Sequence, residues 1–415
     1  MFFSTPGDGS EASPRRHLVL IGLALALALP LLGGLLMAMV LEPGKTNSYA
    51  LLAQSFLQGR LDSPTCYDFD CAVFEDRIYV MFPPVPAVLV MPFVALFGVD
   101  FGGFVALSIL ASTITLVLWR RIFAALDTDK TAAIWLLLAL AFATPVYFVT
   151  IRGSGVWFFA QTIGLLFVTL AIHQVVRGGS LVLAGACVGL AFLCRQMSLF
   201  YLPFLFALAL APGEALISFS RAHIARALKL GLPVAAAVLV YMAYNYARFG
   251  APLETGYRYM MVSEEWTMVN HRLAEFGLFS GEYLFFNVVY FFLQGFHLEF
   301  GGDAMLTPVG LDPAGTSLLA ASPFVLLAFF TPLRRPVAVG IACAIAIALP
   351  TFWYHSNGFS QYNVQRYVLD WLPILFYMLA LAVRRREAPV FGVLVVYGMG
   401  LNLAAMALLA LVRGA

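Results

Sequence analysis

Asp68 and Asp70 stand two residues apart in a polar stretch, Leu61 to Tyr79, that also holds Asp62, Glu75 and Asp76. Two carboxylates at that spacing could hold a divalent metal through oxygen ligands, or one of them could act as general base toward a hydroxyl. The competing reading is a solvated acidic loop. Glu42, directly after the first apolar run, is a third candidate, and its bland alternative is a carboxylate at a helix end meeting water. Four arginines, Arg152, Arg195, Arg258 and Arg366, fall near the ends of apolar runs. A guanidinium beside hydrocarbon is costly unless it is paired, and its planar fork suits a phosphate. Arg366 has a local partner in Asp370 at i,i+4. Arg195 could cap carbonyls in a tight turn, whereas Arg152 and Arg258 have no carboxylate fixed nearby in sequence.

Other chemistries lack their residues. His297 and His355 come without HExxH or paired-His spacing, and no GxSxG, Walker A or dinucleotide glycine motif occurs. Nucleotide hydrolysis is therefore excluded as a source of energy. Charges sit at the ends of apolar runs, with Asp370 the main exception, so the ionisable pathway of an ion-coupled transporter is also missing. Cys187, Cys194 and Cys343 lie in apolar runs and read as packing residues. Cys66 and Cys71 lie in the polar stretch, where an oxidising compartment would permit a short disulfide and two free thiols are the alternative.

The elements that must position these groups are apolar helices. Hydrophobic residues make up 62% of the 415 positions and charged residues 11%, and the mean hydropathy is +0.89. Segments about twenty residues long recur from Leu18 to Leu411, each able to cross roughly 30 Å of hydrocarbon. The chain reads as a single all-α polytopic membrane domain over residues 1–415, with eleven spans at 18–41, 102–119, 131–149, 156–176, 180–194, 197–211, 230–248, 316–331, 336–354, 364–383 and 389–412. With the segment before the first span inside, the inner ends carry 14 of the 24 basic residues, and 16 of the 22 acids fall outside or near the outer face. That asymmetry is what the positive-inside rule expects. A net charge of +2 without a basic cluster elsewhere excludes nucleic-acid binding.

Two long outer loops follow, residues 42–101 and 249–315. In the first, Thr46, Asn47 and Ser48 suit the start of a helix over Tyr49 to Gln58 that Gly59 can end. The run Pro83 to Phe97 has four prolines and is about 22 Å long as a helix. Counting it as a span would place the loop around Arg120, Arg121 and Lys130 outside, so it reads as a helix lying on or dipping into the outer leaflet. The second loop carries an aromatic run, Tyr283 to Phe296, of interfacial type.

A first span followed by an acidic loop with a short helix and then the proline-marked FPPVPAVLVMPFVALFG resembles the C-type (GT-C) glycosyltransferase superfamily. ATPVYFVTIRGSGVWFFA, GLAFLCRQMSLFYLPF, NYARFGAPLETGY and GFSQYNVQRYVLDWLPIL are similar to segments of that superfamily, so the resemblance covers most of the chain. It implies a polyprenyl-phosphate-linked sugar as donor and a cell-envelope glycan, lipid or protein as acceptor. It also implies inverting transfer with Asp70, or else Asp68 or Glu42, as base. Arg152, Arg195, Arg258 and Arg366 would then hold the lipid phosphate, and Tyr257 and Tyr259 the sugar. Many members carry an acidic pair immediately after the first span, where this chain has Glu42 alone. The implied place is a bacterial inner membrane among its lipids, with the long loops on the outer side. A divalent metal, held by Asp68 and Asp70, is an open cofactor. A lipid-linked-sugar flippase and a catalytically inactive envelope-assembly homologue are the alternative functions.

Overall fold

The computed structural model describes residues 14–68, 70–261, 268–356 and 365–413. Part of the GFSQYNVQRYVLDWLPIL segment, 358–364, lies outside them, as do Asp8 and Glu11. The chain is a multi-pass membrane protein whose long helices are α1 (Pro14–Val40), α4 (Phe104–Ala125), α7 (Val156–Val176), α10 (Arg221–Phe249), α14 (Arg335–Phe352) and α16 (Ala388–Arg413). Between α1 and α4 come α2 (Ser48–Leu57) and α3 (Val85–Phe97). The remaining helices are α5 (Lys130–Phe142), α6 (Pro145–Ile151), α8 (Leu181–Phe192), α9 (Tyr201–Ala209), α11 (Met268–Phe276), α12 (Leu284–Val288), α13 (Leu318–Ala321) and α15 (Leu372–Ala382).

Against the expected eleven spans, six helices among the described residues are long and apolar enough to cross, or seven if α5 and α6, bent by 44°, form one. The stretches 180–194, 197–211, 316–331 and 364–383 instead contain short helices and 3₁₀ turns such as Gln196–Phe200, Pro323–Phe330 and Arg366–Asp370. Proline at the first turn fixes where the Pro323 turn and α15 begin. Irregular backbone at membrane depth is tolerated where protein surrounds it, and α15 is buried over most of its length.

Close approach of α8 to α10 explains one such short helix. A Cβ at Gly185 would sit 2.2 Å from the Leu230 carbonyl oxygen, and one at Gly189 would sit 2.9 Å from the Ala237 Cβ. Small residues four apart let two backbones meet without side chains between them.

Helices dominate as expected, but the described residues also form two β-hairpins. In the first, β1 (Cys71–Phe74) pairs with β2 (Arg77–Val80), and Glu75 and Asp76 both take left-handed φ, 50° and 58°. That is the two-residue turn whose twist matches the strands. The second pairs β3 (Leu298–Gly301) with β4 (Thr307–Leu311). The β1–β2 hairpin joins the two long loops: Ser63 N donates to Ile78 O at 2.7 Å, and Met261 N donates to Cys71 O at 2.8 Å. Buried Arg248 at the end of α10 fastens it further, donating to Val80 O at 2.8 Å and Asn245 Oδ1 at 2.7 Å. Beneath the hairpin an apolar cluster of Tyr49, Phe82, Phe104, Phe159, Phe192 and Tyr241 unites α2, α4, α7, α8 and α10. The larger core, with Trp119, Trp135, Phe204, Phe324 and Phe376, fills the rest of the bundle.

Candidate active site

The ends of the long helices sort the charged residues. Arg177 follows α7, Arg221 starts α10, Arg335 starts α14 and Arg384 precedes α16, all at what is here termed the basic end. Trp157 at the start of α7, Arg195 after α8, Tyr257 after α10, Tyr354 after α14 and Asp370 before α15 mark the opposite, loop end. Cavities of about 460 and 420 Å³ lie at the basic end, against Asp127, Arg334 and Arg384 in one case and Arg226 in the other. They are distinct from the constellation described next.

Asp70 immediately precedes β1 and accepts a hydrogen bond from the indole Nε1 of Trp157. Burial raises its pKa, and the Trp157 bond and then the charge of Arg366 oppose the rise. Asp68 accepts from Ser48 Oγ at 2.7 Å. Burial, opposed by Ser48 and reinforced by the Asp70 charge, pushes its carboxyl up to about 7. Arg366 is 7% exposed; its guanidinium lies 5.2 Å from the Phe158 ring centre, 5.1 Å from Tyr367 and 5.7 Å from Trp157. Gln161 Nε2 of α7 donates to Arg366 O at 3.1 Å and so ties that turn to the helix that carries Trp157.

Arg195 is held by Asp370 through two bonds of 2.6 Å, from Nε and Nη2, and sits 5.5 Å from the Tyr367 ring. The i,i+4 pairing of Arg366 with Asp370 is thus corrected. Both lie in one 3₁₀ turn, in which Asp370 is turned to a residue 175 positions earlier. Tyr257 interacts electrostatically with Asp70, Tyr367 and Arg195, and burial followed by the Asp70 charge raises its pKa. Tyr354 neighbours Tyr257, Tyr367 and Asp70. Arg152, the residue that ends α6, stands 5.7 Å from the same Phe158 ring that Arg366 covers.

The structure therefore brings Asp68, Asp70, Arg195, Arg366 and Tyr257 together, with Arg152 at the margin. Three candidates go elsewhere. Glu42 accepts from Phe104 N at 3.1 Å and Val105 N at 2.9 Å, which makes it the cap of α4, and burial raises its pKa. Arg258 is exposed and pairs at 3.7 Å with Glu254, four residues back. Tyr259 packs in an aromatic cluster with Phe74 at 4.8 Å and Phe249 at 6.1 Å. Sequence reading missed Trp157, Tyr354, Tyr367 and the partnership of Asp370 with Arg195.

Among the described residues, the one group of three potential metal ligands is Cys66, Asp68 and Cys71. The two sulfurs are bonded to each other as a disulfide. That group is left with the Asp68 carboxylate as its one open ligand, and Asp68 together with Asp70 supplies at most part of a coordination shell.

No protein-family model and no curated protein matches the chain. Among solved structures it is similar to ArnT from Cupriavidus metallidurans bound to undecaprenyl phosphate, at 16% identity and a TM-score of 0.46, over 94% of this chain and 63% of that one. It is also similar to the same protein in the apo state, at 15% and 0.46 over 90% and 60%. A third likeness is to the oligosaccharyltransferase of Archaeoglobus fulgidus in the apo form, at 14% and 0.41 over 96% and 56%. The chain spans less than two thirds of the length of each of these. Both proteins are GT-C glycosyltransferases.

Proposed function

We propose that the chain is a membrane glycosyltransferase that moves a sugar from a polyprenyl-phosphate donor to a glycan, lipid or protein of the cell envelope, at the outer face of a bacterial inner membrane. The observation that carries the reading is the meeting of Asp70 with Arg366, Arg195 and Tyr257 at the loop end of the bundle.

Each group has work to do in such a transfer. The acceptor hydroxyl or amine must lose a proton as its oxygen or nitrogen attacks the anomeric carbon, and Asp70 takes that proton. A carboxylate whose pKa burial has raised is a stronger base than one in water, and the Trp157 bond fixes the orientation of one of its oxygens. The bond from the anomeric carbon to the lipid phosphate oxygen breaks on the opposite side of the sugar, so configuration inverts. Negative charge then grows on the phosphate, where Arg366 and Arg195 stabilise it. Asp370 does not cancel Arg195 entirely, since it uses Nε and Nη2 and leaves Nη1 for a ligand oxygen. Tyr257, Tyr354, Tyr367 and Trp157 offer ring faces and hydroxyls of the kind that hold a sugar. No step is routed through a metal; if one takes part, Asp68 and Asp70 are the carboxylates that would hold it.

Incubating the purified protein with labelled lipid-linked sugars and envelope fractions tests the reading. Transfer is expected, and absence of both transfer and polyprenyl-phosphate binding in a well-folded sample overturns it.

A further inference from the structure

Cys66 and Cys71 are joined in a disulfide, their Cα atoms 6.2 Å apart, and the ring they close contains both Asp68 and Asp70. We propose that this disulfide positions the two carboxylates: it holds them in the site, and its reduction releases them. The role deepens the reading of Asp70 as base and rests on it.

The physical case starts from what pulls the carboxylates away. Burial disfavours their charged forms, and the charge on Asp70 adds to the cost at Asp68. Both terms are relieved if the segment swings into water. Against this stand one side-chain bond each, from Ser48 to Asp68 and from Trp157 to Asp70, a 3.3 Å bond from Tyr67 N to Ser48 Oγ, the Arg366 charge beside Asp70 and the backbone amides near Asp68. Between the Ser63 bridge and β1 the described residues form no helix or strand that would add a ladder of bonds. Covalent closure supplies the missing restraint. Cys71 is fully buried, and its carbonyl is anchored by Met261 N, so the disulfide ties Cys66 to a fixed point. The Asp68 carboxylate lies within 4.8 Å of both sulfurs.

Reduction by a dithiol such as dithiothreitol breaks the S–S bond and leaves one thiol on each cysteine. The dithiol gives up two electrons and two protons and closes to a cyclic disulfide. The released segment then keeps only its non-covalent contacts.

The test compares oxidised and dithiothreitol-treated full-length protein in detergent, with reduction followed by the mass shift on alkylation. Hydrogen–deuterium exchange comes first because it needs no activity. Amides from Cys66 to Cys71 are expected to exchange about tenfold faster or more once reduced, with α7 unchanged. In the transfer assay kcat is expected to fall about tenfold or more while KM for the lipid donor holds, because Arg195 and Arg366 lie outside the ring. The Cys66→Ser/Cys71→Ser protein should match the reduced enzyme and ignore the reductant, and the reduced wild type carries the test if that variant folds poorly. Unchanged exchange overturns the restraint, and undiminished kcat after reduction overturns the positioning role. An oxidised wild type without transfer sinks the base assignment instead, and the exchange result still decides the restraint.

Discussion

Arg195 and Asp370, 175 positions apart, meet through two hydrogen bonds of 2.6 Å, with the Asp370 side chain 7% exposed. Removing one member leaves the other's charge poorly solvated. Asp370→Ala or Arg195→Ala alone should each cost about 2–4 kcal/mol of stability, and the double variant should cost less than the sum of the two. Unfolding in detergent measures this. Additive losses would show that the pair is not coupled.

Trp157 is the donor to Asp70. A hydrogen bond to the carboxylate favours the charged form, so Trp157→Phe should raise the Asp70 pKa further. The acid limb of the transfer profile then moves up by about 1 pH unit. A profile that stays in place would detach Trp157 from the base.

Asp68 gives a pH dependence of stability. Its folded pKa of about 7 lies above the ordinary 3.8, so the native state binds the extra proton. The stability this lends is fully present below the unfolded value and is lost as the pH rises through about 7. Asp68→Asn, which cannot ionise, should therefore unfold at a higher temperature than wild type at pH 8 and lose that advantage at pH 4. Parallel melting curves across the range would contradict the burial of this carboxyl.

Much of this was legible in the sequence. Asn47 caps α2, its Oδ1 accepting from Tyr49 N at 3.0 Å, as the residues at 46–48 suggest. Asp70, Arg195, Arg366 and Tyr257 are of types that ask for partners; the two arginines lie at the ends of apolar runs, and Asp70 and Tyr257 lie in the two long loops. Which of them face each other is a tertiary fact. Local spacing pairs Asp370 with Arg366, whereas the 3₁₀ turn directs it to Arg195. Glu42 looks chemical in sequence because the helix start it caps lies 62 positions away. The span count is less legible for a different reason. Hydropathy records apolar length, but short buried helices such as α8 and α15 are apolar because protein surrounds them. The β1–β2 hairpin hid because its turn is Glu75-Asp76, with no glycine to announce the left-handed backbone.

Transfer from a labelled undecaprenyl-phosphate-linked sugar by wild type, Asp70→Asn and Glu42→Gln, with lipid-phosphate binding measured alongside, addresses the central claim most directly. The account predicts transfer by wild type, a loss of about 10²–10⁴-fold for Asp70→Asn with binding kept, and nearly full activity for Glu42→Gln. An Asp70→Asn protein that transfers at the wild-type rate would contradict it.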